Sequence, residues 1–267
     1  MKKYAFTFSG RQTFSGPIKR HNFLLRCMPG TYPFQRSYAG NLTVTPFTAL
    51  THLADVHGNE MYTGTIDKKH DGFSFTASGF VLLSKYFTHE PLDRLYLYPT
   101  ELTRPTPELS ALAARQALPQ DNWQKARFLC DLTHRRLTLT EEPGVRTAGE
   151  VFHQGAGTAR DFAHVLLTLC RLCGIGARFV SGLAVGISTP HCWVEVYVDG
   201  VWRALDPVCG LPAEDGYLKI AHGPQGTACA VARNCFQQEQ ADLTASREFS
   251  VEVTEHVIRT RDTVPHA

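Results

Sequence analysis

No stretch of this chain approaches the roughly 20 consecutive apolar residues that a membrane-spanning helix requires, so a helical membrane protein is not expected. The opening Met1 to Gly10 carries two lysines but no apolar core behind them. It fails as a secretory signal, and the cytoplasm is the expected location. Charge of one sign is also lacking: 27 Lys and Arg against 25 Asp and Glu leave a net +2. That balance argues against nucleic acid or an anionic membrane as partner. The eight cysteines have no regular spacing, which argues against a secreted disulfide framework. No acidic cluster suited to calcium is present, and no metal or cofactor is implied. Repeats and low-complexity tracts are missing too, and the oligomeric state is left open.

What is present is an ordinary globular composition. The 267 residues are 43% hydrophobic and 19% charged, enough for two modest domains or one large one. Residues 1–105 are rich in Phe, Tyr, Thr, Val and Gly. Alternation at Phe23, Leu25 and Cys27, at Leu42 to Thr45 and at Phe73 to Thr76 predicts half-buried strands. Turn residues punctuate them at Pro29-Gly30, Ala39-Gly40-Asn41, His57-Gly58-Asn59 and Asp71-Gly72. An antiparallel β-sandwich is expected there. A proline cluster from Pro99 to Pro107 marks the boundary to a second domain, residues 106–267, with an α+β pattern.

That second part opens with helix signals. Asp121 to Gln124 and Thr147 to Glu150 read as capping boxes. A stronger helix runs from about Ala159 to Leu172; its apolar residues wrap most of the circumference, which predicts a central, buried helix stopped by Gly174. Strands follow at Ala177 to Gly182, Cys192 to Val198 and Val201 to Leu205, the last two joined by an Asp199-Gly200 hairpin turn. Phe249 to Val253 reads as the final strand. A buried helix packed on an antiparallel sheet is therefore expected.

The chemistry-bearing residues fall on the edges of these elements. A thiol nucleophile works best at a helix N-terminus, where the dipole and free N–H groups favour thiolate and a developing oxyanion. Position 159 begins the buried helix after the flexible Gly155-Ala156-Gly157, yet it is alanine. His191 opens a strand and can serve as a base; Asp206 closes the next strand and can orient the imidazole. Taken singly, His191 reads as a structural histidine and Asp206-Pro207 as a strand terminator. Their joint order carries the reading.

Gly157-Thr158-Ala159-Arg160-Asp161-Phe162-Ala163-His164, Arg171 to Gly182, His191 to Val196 and Trp202 to Pro207 together resemble the bacterial transglutaminase-like superfamily, with its papain-like catalytic domain. His21 to Pro29, Gln35 and Asp55 to Asn59 resemble the β-sandwich region preceding that domain. The resemblance implies a Cys-His-Asp triad in which Ala159 holds the nucleophile position, His191 is the base and Asp206 the orienting acid. Gly157, Thr158, Trp193 and Trp202 are the candidate ligand contacts. A methyl group cannot attack a carbonyl, so thiol acyl transfer is excluded for the chain as it stands.

A second departure lies downstream, where Tyr217 to Gly223 continues as Pro224-Gln225-Gly226-Thr227-Ala228 instead of the family's Arg-Asp-Tyr-x-Asp. Loss of a second polar set favours natural relaxation of a catalytic constraint over a single introduced substitution. The expected function is thus a pseudoenzyme that binds a peptide or protein partner. The alternatives are a cysteine peptidase, amidase or acyl transferase whose cysteine was replaced, and a purely structural role for His191 and Asp206. No other cysteine is a convincing stand-in: Cys192 faces away from His191 by strand alternation, Cys170 and Cys173 read as a buried structural pair, and Cys209, Cys229 and Cys235 cannot be placed.

Overall fold

The N-terminal half is organised by one 24-residue strand, β1 (Lys2–Leu25). Its buried positions are even-numbered from Tyr4 to Ile18 and odd-numbered from His21 to Leu25. Because strand side chains alternate with a period of two, such a phase change needs one extra residue. It falls at Arg20, whose φ of 49° lies in the left-handed region, between positions where the pairing register also shifts. The structure is a computed structural model that describes residues 1–115, 117–141, 144–238 and 242–256.

Four strands follow: β2 (Gln35–Thr45), β3 (Thr51–Ala54), β4 (Glu60–Ile66) and β5 (His70–Leu83). Then come α1 (Pro107–Arg115), α2 (Asn122–Arg136), β6 (Thr138–Leu139), α3 (Ala148–Gln154), β7 (Ala156–Gly157) and α4 (Ala159–Leu172). The chain continues through β8 (Ala177–Ala184), β9 (His191–Val198), β10 (Val201–Asp206), β11 (Leu211–Pro212) and β12 (Tyr217–Gly223). It ends with β13 (Ala232–Gln238) and β14 (Ala245–His256).

The first sheet runs β2-β5-β1-β4-β3, all antiparallel, with β13 and β14 also on β1. The first part of β1 pairs β5 and β14, and its last part pairs β4 and β13. The two sections fold face to face, with Phe23 and Phe73 rings 4.6 Å apart and Phe14 and Phe236 5.0 Å apart. The first sheet thus draws its strands from both ends of the chain. Two expected turns are absent. Ala39-Gly40-Asn41 is a bulge within β2, with Ala39 at φ 50°, and Asp71-Gly72 lies inside β5. The left-handed residue is Ala39 itself, so the bulge is imposed by the pairing of β2 with β5 on either side of it and not by Gly40 or Asn41.

The second sheet runs β11-β10-β9-β8-β12, also antiparallel. Asp199 and Gly200, at φ 52° and 79°, close the β9–β10 hairpin as the sequence predicts. Helix α4 lies across β8 and β9 with the other three helices around it. Every residue from Asp161 to Arg171 is buried. The mixed, mostly antiparallel α+β architecture is the one expected.

The two sheets meet at the free edge of β12, whose backbone would be left unpaired there. Side chains from the N-terminal half complete it. The Gln35 carboxamide accepts from the Lys219 N–H (2.8 Å) and donates to its carbonyl (2.7 Å). Asn59 does the same at His222, at 2.8 Å for both bonds. The Tyr32 hydroxyl donates to the Ile220 carbonyl (3.1 Å). Two amides thus imitate a neighbouring strand, which satisfies groups that burial would otherwise penalise.

Beneath this edge lies a buried ionic cluster. Glu195 of β9 receives both Lys219 of β12 (2.7 and 2.9 Å) and Arg178 of β8 (2.5 Å), while the Tyr86 hydroxyl donates to it at 2.8 Å. Glu195 and Lys219 are 0% exposed. Burial alone would raise the Glu195 carboxyl, but the Arg178 and Lys219 charges hold it well below the ordinary range. Burial, with the Arg178 charge, pushes the Lys219 ammonium down to about 8 against the pull of Glu195. Removing Glu195 leaves the Lys219 ammonium buried without an anion, while Arg178 keeps Glu90 at 2.7 Å. Glu195→Gln is expected to destabilise the fold by about 3–5 kcal/mol. Urea unfolding checks this, and a loss below about 1 kcal/mol would contradict it.

Candidate active site

The site is assembled from strand ends. His191 is the first residue of β9 and Asp206 the last of β10, a juxtaposition produced by the tight Asp199-Gly200 turn between them. His191 Nε2 lies 2.7 Å from Asp206 Oδ2. An ionised carboxylate only accepts, so Nε2 carries the proton and Nδ1 is left as the basic nitrogen. Asp206 is held from three further sides. The Tyr217 hydroxyl donates to Oδ2 (2.8 Å), the Val208 N–H to Oδ1 (2.8 Å), and the Gly210 N–H to the Asp206 carbonyl (2.8 Å). Burial would raise the carboxyl, but the hydrogen bond and charge of His191 and the Tyr217 and Val208 donors hold it below the ordinary aspartate value.

Ala159 is the first residue of α4 and half-buried. Helix α4 packs on β9, the strand that His191 opens. Asp161 organises that turn. Its Oδ2 accepts from the Thr158 N–H and hydroxyl, each at 2.9 Å, and from Arg146 at 2.7 Å. Gly157 has a packing reason to be glycine: a Cβ there would stand 2.8 Å from the Asp161 Cβ. Thr158, already donating to Asp161, has its hydroxyl committed to the helix start.

Trp193 and Trp202 occupy different surroundings from those expected of ligand contacts. Both are 0% exposed. Trp193 donates to the Tyr86 hydroxyl (3.0 Å), and the Trp202 ring carries the Arg178 guanidinium at 4.2 Å. They are core residues beside the ionic cluster, because alternation fixes the face a side chain takes but not its depth.

The cysteines supply no substitute thiolate. Burial pushes the Cys192 thiol up to about 12. Cys170 is fully buried and likewise pushed up. Cys209, which the sequence could not place, lies beside the dyad on its acidic side: burial, then the charge and hydrogen bond of Asp206, raise it. A thiol next to an anion stays protonated. Tyr217 is the residue that sequence reasoning missed as a site member; only the pairing of β12 with β8 brings it beside Asp206.

The histidine that ends the helix motif has a structural use. His164 Nε2 accepts the Gly226 N–H at 3.0 Å, and burial pushes its pKa down to about 3. This bond ties α4 to the segment that departs from the family pattern, where a Cβ at position 226 would approach His164 Nε2 and Arg160 Cγ to 3.1 Å. Among the described residues no group of three or more His, Cys, Asp or Glu side chains is placed to hold a metal, and no helix is long and apolar enough to cross a membrane.

With this geometry in place, comparison with known proteins identifies the class. The transglutaminase-like superfamily model matches residues 110–207, and the bacterial transglutaminase-like N-terminal region matches residues 4–82. The chain belongs to the transglutaminase-like superfamily. A crystal structure of a proposed cysteine protease from Cytophaga hutchinsonii superposes with a TM-score of 0.81 at 19% identity, covering 97% of this chain and 92% of that one. At that identity the likeness establishes the fold. A protein of uncharacterised function from Mycobacterium leprae is 29% identical over 104 residues, which span 35% of this chain and 37% of the relative.

The buried neutral His164 makes stability depend on pH with a definite sign. Its folded pKa lies below the unfolded one, so the unfolded chain takes up the proton first as pH falls below about 6.5. Stability is therefore lost on acidification, by about 2 kcal/mol between pH 6.5 and 5 from this residue. Urea unfolding across that range should show the slope, and His164→Gln should remove about one proton's worth of it. An unchanged slope in the variant would refute the assignment.

Proposed function

We propose that this protein is a pseudoenzyme of the transglutaminase-like fold that binds a peptide or protein partner without turning it over. The observation that carries the reading is the pairing of an alanine at the start of α4 with a His191–Asp206 dyad still joined at 2.7 Å. Thiol acyl transfer requires a nucleophile that a methyl group cannot supply. The cysteines nearest the dyad support the reading, since Cys192 and Cys209 are both held towards the protonated thiol. Recognition needs only the walls of a cleft, and these can outlast the chemistry.

The second reading is a cysteine peptidase, amidase or acyl transferase in which Ala159 replaces the catalytic cysteine. The four-sided support of Asp206 favours it, because every element needed to orient an imidazole is in place. The activity proposed for the Cytophaga hutchinsonii protein would then apply here as amide-bond cleavage.

One experiment separates the readings. Ala159→Cys and the parent are incubated with a peptide library, and turnover is read together with the site of labelling by a thiol-directed probe, located by mass spectrometry. For the pseudoenzyme, neither protein turns over peptides and the introduced thiol reacts like an ordinary one. Turnover by Ala159→Cys at least about a hundredfold above the parent would overturn that reading and establish the second, since one restored nucleophile is worth orders of magnitude in rate.

A further inference from the structure

The first sheet has four outer strands: one section ends on β2 and β14, the other on β3 and β13. An outer strand offers backbone donors and acceptors to any strand that meets it. Folded chains guard against this with charge, proline or a bulge. Three of the four carry such a guard. Strand β2 has Arg36 and the bulge at Ala39, and Pro46 follows it. Strand β14 carries Arg247, Glu248, Glu252 and Glu255, and its Val251 N–H donates to the Ser188 carbonyl at 2.8 Å. Strand β13 carries Arg233, and its Ala232 carbonyl accepts from Arg247 at 3.4 Å. Strand β3, Thr51-His52-Leu53-Ala54, has no lysine, arginine, carboxylate, proline or bulge. All its residues are exposed, and among the described residues it pairs with β4 alone.

Apolar side chains stand at both ends of this open edge. Phe47, ahead of β3, is 91% exposed; Val56, after it, is 95% exposed; Leu53 within it is 44% exposed. Neither end is loosely held. The Thr48 hydroxyl donates to the Thr65 carbonyl (2.7 Å), which keeps the segment carrying Phe47 alongside β4. The Asp55 carboxylate accepts from the His57 N–H (2.9 Å) and the Asn59 N–H (3.0 Å), which fixes the turn carrying Val56. Such turns ordinarily hold Gly, Pro, Asn, Asp or Ser, so a valine presented to water on a fixed turn is out of place. The carboxylates beside the edge already have basic partners, Glu60 with His52 at 3.6 Å and Asp55 with Arg26 at 2.9 Å.

We propose that β3 is the contact through which two copies of this chain pair, antiparallel about a two-fold axis, into one continuous sheet. A two-fold contact sets one surface against itself. Antiparallel β3 strands therefore bring the Phe47 end of each copy to the Val56 end of the other, with the two Leu53 residues near the axis. One arrangement covers all three exposed apolar residues and brings no unpaired like charges together. So short a strand makes a small interface, and the dimer is weak and reversible, with a Kd on the order of 10 μM. The inference does not rest on the reading of the dyad.

Sedimentation equilibrium of the full chain between about 1 and 300 μM tests this, together with hydrogen exchange at the β3 amides. Monomer should give way to dimer, and the Thr51 to Ala54 amides should exchange more slowly as concentration rises. Leu53→Lys and Leu53→Glu, each setting like charges together near the axis, should weaken association at least about tenfold. An equimolar mixture of those two variants should recover it, which a folding defect in either would not allow. Thr43→Lys, on the outer strand β2, should change nothing. A chain that stays monomeric at the highest concentration would overturn the proposal. So would a dimer unchanged in Leu53→Lys, or a mixture no tighter than either variant alone.

Discussion

Glu195 sits at the centre of the second sheet with no access to water, and its ionisation is made possible by charges that arrive from β8 and β12. Arg178 approaches it from the adjacent β8 and Lys219 from β12, one strand further, so the three strands can pair only in a register that brings all three side chains to one face. A one-residue slip of β8 or β12 would carry a cation to the opposite face and leave it buried against hydrocarbon. The same cluster recruits Tyr86 from the segment after β5, and Tyr86 in turn takes the Trp193 N–H. What β9 presents two residues from Glu195, and two more again at His191, therefore inherits its position from this charge set. A buried ion pair is weak evidence for stability, but here it specifies register, and register is what aligns the dyad.

Asp206 shows how a catalytic-looking residue can persist for reasons of architecture. It caps the turn after β10 through the Val208 and Gly210 amides, joins β9 through His191 and joins β12 through Tyr217. Three donors on one buried carboxylate leave little freedom for substitution, whether or not a nucleophile stands opposite. The dyad's survival is thus compatible with binding, with a replaced nucleophile, and with plain structural service. The thiols discriminate more sharply than the dyad does. A family mechanism needs a thiolate beside an imidazole, whereas the thiols closest to this imidazole lie in apolar surroundings or beside a carboxylate, where deprotonation is opposed.

Much of the second sheet was legible because its signals are local. The Asp199-Gly200 turn, the stop at Gly174 and the apolar circumference of α4 each act within a few residues, and the structure has all three. The Thr147–Glu150 capping box is also present. What was not legible depended on partners distant in sequence. Nothing near Ala39 distinguishes a bulge from a turn; that is decided by β5, which β2 pairs on both sides of the irregularity. Trp193 and Trp202 lie in the motifs that define the site, but their depth is set by Tyr86 and Arg178. Tyr217 is eleven residues from Asp206, and only the β8–β12 register makes them neighbours. Gln35 stood out in the sequence through resemblance and Asn59 through resemblance and as a turn residue, and the structure supplies their reason as substitutes for a missing strand.

The way β12 is finished bears on what an open strand edge means in this molecule. Where two sheet edges face protein, the chain provides acceptors and donors in detail, down to paired carboxamides at Lys219 and His222 on either side of the irregularity in β12. The β10 edge is closed with equal care by Thr88 on one side and Ala213 on the other. Thr88, like Gln35 and Asn59, comes from the N-terminal half of the chain, so both edges of the second sheet receive hydrogen bonds from it and neither edge is finished by the second half alone.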